Sequence, residues 1–196
     1  MLRKYGLSGS LMLIASYLFT KLFHSRSRLL RLPIDIRNKK LIDLGKGLTT
    51  GYGCRFEAYP VNNAGNKCLI FGSNIEINDY VHIAAGEKII IGDHVLIAGK
   101  VFISDINHGN YKGQNSDSPL SVPNKRGLST RPVIIENNVW IGESVSILPG
   151  VTIGQGSIIG ANSVVSRSIP PAVIAVGSPA KPVKKYNFQS NIWENL

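Results

Sequence analysis

A chain of 196 residues with an ordinary apolar content of 43% has room for one domain with a substantial core, which excludes disorder as the default state. Its formal charge of +10 is unevenly placed: residues 1–40 carry nine Lys and Arg against one Asp, residues 41–166 carry nine against ten acidic residues, and residues 167–196 carry four against one. Aromatics do not interleave with the cations, which argues against nucleic acid as a partner, and Cys54 and Cys68 lack metal or redox spacing and fit a reducing cytoplasm.

Taken from the start of the chain, residues 1–40 read as a basic arm. The apolar stretch from Leu7 to Phe23 is interrupted by Ser8, Ser10, Ser16, Thr20 and Lys21, so its clean run reads as too short to span a bilayer, and no signal-peptide cleavage site follows it. Leu11, Ile14, Ala15 and Leu18 recur at helical spacing, fringed by Arg3, Lys4, Tyr5, Lys21, Arg26, Arg28 and Arg31. Two readings stay open. Residues 1–31 are either an amphipathic helix resting on an anionic membrane or a helix packed against its own body or a neighbouring subunit.

Beyond the arm a repeat takes over. Ile135, Ile141, Ile147, Ile153, Ile159 and Val165 fall every sixth position, each followed four residues later by Val139, Val145, Val151, Ser157, Ser163 and Ile169. The same phase runs through Ile91, Ile97 and Ile103, and through Phe71, Ile77 and Ile83 after a two-residue slip near Glu87 and Lys88; weaker traces sit at Leu44, Thr50 and Phe56. Six residues are three strand periods, so each hexad turns the same face inward, whereas six is no multiple of 3.6 and Gly, Asn and Pro punctuate every turn against a helix. The pattern predicts a mainly β fold, a parallel β-helix with three short strands per coil over residues 41–187, and a tail at 188–196. One long interruption, residues 109–131, is rich in Gly, Pro, Ser and Asn and leaves the repeat directly after His108, which favours a functional loop.

Of four histidines, His24 lies in the basic arm, and His94 and His82 point outward by phase. His108 alone stands where the repeat breaks. From the residues alone, a structural histidine bonded to local backbone is the stronger reading of it.

The run Val139–Val165 (VWIGESVSILPGVTIGQGSIIGANSVV) followed by Ile169–Lys181 (IPPAVIAVGSPAK) resembles the hexapeptide-repeat acyltransferases, over residues 70 to 187. The stretch Ile97–Gly109 and the basic arm are most similar to the branch that O-acetylates lipopolysaccharide O-antigen and exopolysaccharide units; Ile106-Asn107-His108 stands where relatives carry His-Asn-His. The resemblance implies a left-handed β-helix, a homotrimer with coenzyme A between neighbouring prisms, acetyl-CoA as co-substrate, no metal, and a glycan acceptor, lipid-linked in one version. It turns His108 into the general base. Asp105 and Asp79 become candidates for holding its ring, and His82 and Asn107 candidates for orienting it or meeting the acceptor. A backbone amide near Gly142 is expected to meet the thioester, beside Trp140, and Ala161, Ser166, Arg167, Lys181 and Lys184 match the coenzyme A contacts. Cys54, at an inward position, reads as core, so direct attack in a ternary complex is expected rather than an acyl-enzyme. Alternatives on the same fold are acetylation of an amino-sugar nitrogen, a free sugar or serine, and a zinc carbonic anhydrase needing three histidines, for which only His82 and His108 qualify.

Overall fold

A computed structural model describes residues 2–61 and 65–196, without the side chains of Leu2 and Lys4. Lys4, part of the expected basic fringe, therefore lies outside the described side chains. The hexads fold as predicted, into extended runs of a few residues separated by corners. Seven parallel strands from Leu29–Leu30 to Val173–Gly177 form the first face of a prism, six from Asp35–Arg37 to Val164–Val165 the second, and five from Ile42–Asp43 to Thr152–Ile153 the third. Ile77, Ile97, Ile141 and Ile159 pair inside the first face, Ile83, Ile103, Ile147 and Val165 inside the second, and Phe71, Ile91, Ile135 and Ile153 inside the third. All are buried, and Val139, Val145, Val151, Ser157 and Ser163 fill the smaller inward positions. Corners recur with one left-handed residue each, among them Lys100, Ser144 and Asn162, all at φ 58°, on the first edge between the first and second faces. His94, at φ 56°, is such a corner residue, which accounts for it structurally.

The prism starts earlier than the repeat suggested. Leu29–Leu30 and Asp35–Arg37 pair with Thr49–Thr50 and Arg55–Glu57, so the first coil begins inside the segment read as an arm, and only helix α1, Leu2–Phe23, stands apart. At the other end Ile192–Asn195 pairs antiparallel with Ala180–Asn187, so the expected tail is the last strand of a hairpin on the first face. The 109–131 segment is not structureless either: Leu128–Thr130 is a strand and Pro123–Lys125 a turn of 3-10 helix.

Helix α1 is docked by its polar residues. Ser10, Ser16 and Thr20 are buried, the backbone N–H of Leu32 donates to Ser16 Oγ at 3.0 Å, and that of Leu30 donates to Thr20 Oγ1 at 2.9 Å. Leu7, Leu11, Met12, Ile14, Leu18 and Leu22 face away from the protein. The interruptions in the apolar run are thus the attachment points. They do not shorten the helix either: Tyr5–Phe23, at a mean hydropathy of 1.3, is long and apolar enough to cross a membrane, which corrects the expectation that the run is too short.

Candidate active site

On the outside of the second face Arg55, His82, Phe102 and Ser146 stand above one another in register. The strand Phe102–Ser104 ends at the second edge, where the chain leaves the prism as Ile106–His108 and returns antiparallel as Leu128–Thr130, with His108 opposite Leu128. Strand alternation puts Ile106 and His108 on one side of this ribbon and Asn107 on the other. Ile106, His108 and Leu128 close a cleft of about 430 Å³ against Tyr59, His82 and Phe102. Asn107 lines a different cleft with Tyr111 and Arg131, so it does not join His108.

The loop braces the backbone under His108 and leaves the ring unengaged. Tyr111 Oη donates to the His108 carbonyl and accepts from Arg126 Nη1 at 2.9 Å, while Ser129 Oγ donates to the Gly109 carbonyl at 2.7 Å. Among the described residues the His108 ring has no hydrogen-bond partner.

Neither acidic candidate holds that ring. Asp105 is fully buried, and its carboxylate accepts backbone N–H bonds from Gly86, Glu87 and Lys88 at 2.6, 2.9 and 2.6 Å. It pins the corner of the coil below, where the repeat slips by two residues, and so anchors the root of the His108 ribbon. Asp79 sits on the first edge, accepting from the Tyr52 N–H at 2.6 Å and pairing with Arg31 at 3.6 Å.

His82 does reach the cleft, backed by a carboxylate that sequence reasoning missed. Glu57, 4% exposed, lies 2.9 Å from His82 Nε2 and 2.5 Å from Arg37 Nη1. Burial alone would raise its carboxyl pKa, but hydrogen bonds from His82 and Tyr59 and the Arg55 charge outweigh it and hold the group below the usual range. Arg55 Nη2 lies 2.9 Å from Nε2 and 3.2 Å from Nδ1, so the guanidinium sits over the imidazole, and the partner of Nε2 in the ring's hydrogen bonding is Glu57. His82 is thus fixed by Glu57 and covered by Arg55, whereas His108 in the same cleft carries no such partner among the described residues. Glu57 and Arg55 belong to a coil where the repeat is weak in sequence, and nothing in their spacing marked them.

The donor-side candidates divide between two edges. Trp140 is exposed on the outside of the first face, stacked in register between Leu96 and Ile158. Gly142 turns the first edge beside it, and its glycine is required by packing: a Cβ would lie 2.6 Å from the Ala161 nitrogen. Its N–H is already used, donating to the Ile159 carbonyl at 2.8 Å. The thioester contact therefore cannot be the Gly142 amide itself. Among the described residues the next amide, that of Glu143, and the Ala161 amide one coil further have no acceptor, so two unpartnered N–H groups line this edge. Lys181 and Lys184 are exposed on the strand Ala180–Asn187, which closes the same face. Ser166 and Arg167 are exposed on the second edge, the one from which the His108 ribbon departs.

Cys54 is buried, and burial pushes its thiol up to about 11, so it is no nucleophile at neutral pH. Among the described residues no three His, Cys, Asp or Glu side chains are grouped to hold a metal, and His24 and His94 stand apart from the His82–His108 cleft.

Known proteins resemble the chain in sequence and in fold. The model of the bacterial transferase hexapeptide family (six repeats) matches residues 132–167. The chain is 43% identical over 193 residues, 98% of its own length and 96% of the other's, to WbbJ of Escherichia coli (strain K12), a protein named for lipopolysaccharide biosynthesis O-acetyl transfer. Among solved structures, AntD, an N-acyltransferase from Bacillus cereus in complex with dTDP-4-amino-4,6-dideoxyglucose and coenzyme A, superimposes with a TM-score of 0.68 at 25% identity over 84% of each chain. A hexapeptide-repeat acetyltransferase from Vibrio cholerae complexed with acetyl coenzyme A does so with a TM-score of 0.56 at 28% identity, over 76% of this chain and 74% of that one. The prism is a left-handed β-helix, and the chain belongs to the hexapeptide-repeat acetyltransferases, enzymes that take the acetyl group from acetyl-CoA.

Proposed function

We propose that the enzyme acetylates a sugar hydroxyl of a lipopolysaccharide O-antigen or exopolysaccharide unit, with His108 as general base, in a homotrimer. The observation that carries the reading is the unengaged His108 ring, held over an aromatic cleft by a braced loop. His108 takes the proton of the acceptor hydroxyl as its oxygen attacks the thioester carbonyl carbon. The Glu143 N–H stabilises the resulting oxyanion. Collapse breaks the C–S bond, and the proton held on His108 passes to the departing thiolate, leaving the acetyl ester and coenzyme A.

A trimer accords with where the parts lie. His108 springs from the second edge and the Glu143 and Ala161 amides line the first edge, beside Trp140 on the first face, so a neighbouring copy is the natural source of the second half. Trp140 packs along the pantetheine arm, and Ser166, Arg167, Lys181 and Lys184 meet the phosphates from the two sides of the groove. Replacing Arg167 and Lys184 together with Ala removes two phosphate contacts and should raise the KM for acetyl-CoA by about tenfold or more, with kcat little changed. An unchanged KM in a thiol-release assay would refute the groove placement.

Buried free thiols and the acetyl-CoA requirement fit the cytoplasm, and the outward apolar face of α1, fringed by Arg3, Lys21 and Arg26, fits the inner surface of the membrane. Leu11→Ser, Ile14→Ser and Leu18→Ser combined leave the Ser16 and Thr20 docking bonds in place. That variant should lose co-sedimentation with vesicles containing anionic lipid that the parent chain shows; equal sedimentation of both counts against membrane contact.

The deciding experiment for the acceptor is thiol release from acetyl-CoA against lipid-linked oligosaccharide, nucleotide sugars, free sugars and serine. The likeness to AntD favours a second reading, acylation of an amino-sugar nitrogen. Turnover with an amino sugar and none with hydroxyl acceptors would establish it.

A further inference from the structure

The reverse side of the ribbon that carries His108 holds a cleft of about 410 Å³, lined by Asn107, Tyr111, Lys112 and Arg131. The proposed base and donor sites leave it unused. Asn107 pairs with Ser129 across the ribbon, and Arg131, two residues beyond Ser129, follows on the same side. The Arg131 backbone is pinned twice, donating to the Asp105 carbonyl at 2.9 Å and accepting from the Gly150 N–H at 3.0 Å. Its guanidinium lies against Gly150, where a Cβ would come within 3.1 Å of Nη1. Lys112 is set by a local turn: its N–H donates to Asn110 Oδ1 at 3.2 Å, and the Asn110 N–H donates to Asp117 Oδ2 at 2.7 Å.

The groups left free in this cleft are mostly donors. Arg131 and Lys112 form no ion pair among the described residues, and the half-buried Asn107 amide has no hydrogen-bond partner there. The hydroxyl protons around them are committed: Ser129 Oγ donates to the Gly109 carbonyl at 2.7 Å, Thr130 Oγ1 to Glu87 at 2.7 Å, and Tyr111 Oη to the His108 carbonyl. Two carboxylates touch lining residues and both are occupied, Glu87 by Thr130 and Asp117 by the Asn110 N–H. What remains is a guanidinium, an ammonium and an amide, a set that donates far more hydrogen bonds than it accepts. Such a set fits an oxyanion, and the planar fork of Arg131 suits a phosphate or a carboxylate. The cleft has the size of a small-molecule site, so the anion belongs to an organic molecule rather than standing alone.

Position gives the cleft a route to the active site. Lys112 follows the exit of the chain from the prism and Arg131 stands at its return, so a ligand held by both ties the two ends of the excursion together. Tyr111 lines the same cleft while its hydroxyl holds the His108 carbonyl and accepts from Arg126 Nη1 at 2.9 Å. The geometry points to this cleft as a binding site for a sugar-sized organic oxyanion, its phosphate or carboxylate held by Arg131, Lys112 and Asn107, whose occupancy stiffens the His108 ribbon and raises turnover. Binding stands apart from the reaction; the effect on turnover rests on His108 as the base.

The test takes glucose 1-phosphate and glucuronate as probes and glucose as the neutral control, on the full chain with saturating coenzyme A present so that the donor-side cations are occupied. At roughly ten times its Kd a bound probe should raise the melting temperature by about 3 °C. A shift with either anion supports the site and names the group it takes. Lys112→Gln and Arg131→Gln combined remove both charges, keep the backbone bonds, and should abolish the shift. No shift beyond that of glucose, or a shift that survives the double substitution, overturns the site. For the coupling, kcat for acetyl transfer to one fixed acceptor, followed on the acceptor itself, should rise about fivefold with the probe bound. Tyr111→Phe loses the bond to the His108 carbonyl and should keep the melting shift while losing the activation. An unchanged kcat in the parent chain, or full activation in Tyr111→Phe, overturns the link to His108. If the chain acetylates no acceptor, the coupling falls with the reading of His108, and the melting shift alone decides the site.

Discussion

His108→Ala should reduce acetyl transfer by about 10²- to 10⁴-fold in kcat, the usual contribution of a positioned general base, with the KM for acetyl-CoA unchanged. The loop does not depend on the ring: Tyr111 and Ser129 brace the backbone at His108 and Gly109, and the imidazole has no partner among the described residues. Stability should therefore change by no more than about 0.5 kcal/mol, as for an ordinary surface substitution. His82→Gln supplies the contrast. Its ring is tied to Glu57 and Arg55, so it shapes the cleft wall, and its loss should act on the acceptor KM more than on kcat. Thiol-release assays and denaturant melts on both variants decide it: near-normal turnover in His108→Ala ends the base assignment, and a larger kcat loss in His82→Gln transfers it.

The inward ladder was legible because each hexad repeats one physical requirement, an aliphatic residue facing the prism axis, and the run from Ile135 to Val165 repeats it without a slip. The first coils were harder to see. Thr50, Cys54 and Phe56 are as buried as the later isoleucines, yet they share no residue type, so the prism's start at Leu29 stayed hidden inside the basic arm. Helix α1 misled for a related reason. Hydroxyls read as interruptions of an apolar run, whereas Ser16 and Thr20 are where the helix meets the protein. His108 was legible from its place at the break in the repeat. Which groups surround it was not, because a three-dimensional neighbour such as Tyr59 comes from a coil some fifty residues earlier. The Gly142 amide illustrates the same gap, since only the ladder bond to Ile159 shows that the free N–H belongs to Glu143.

Asp105→Ala should destabilise the protein by about 1–3 kcal/mol, the cost of a buried amide left without an acceptor, because of the three donors at this corner Gly86 is buried whereas Glu87 and Lys88 are partly or fully exposed and their amides can turn to water. Gly86, Glu87 and Lys88 all donate to this carboxylate, and the Asp105 carbonyl in turn accepts the Arg131 N–H at 2.9 Å where the excursion rejoins the prism. Loss of the side chain therefore loosens the exit of the His108 ribbon from below. Asp105→Asn keeps one acceptor oxygen in place of two and should fall between the parent and the alanine variant in a urea melt. The two roles available to Asp105 separate cleanly here. A residue that oriented the His108 ring would cost kcat and shift the pH profile while leaving the melt unchanged; a corner anchor costs stability first, and activity declines only in proportion to the ribbon it no longer holds. A stable, inactive Asp105→Ala would return Asp105 to the side of His108.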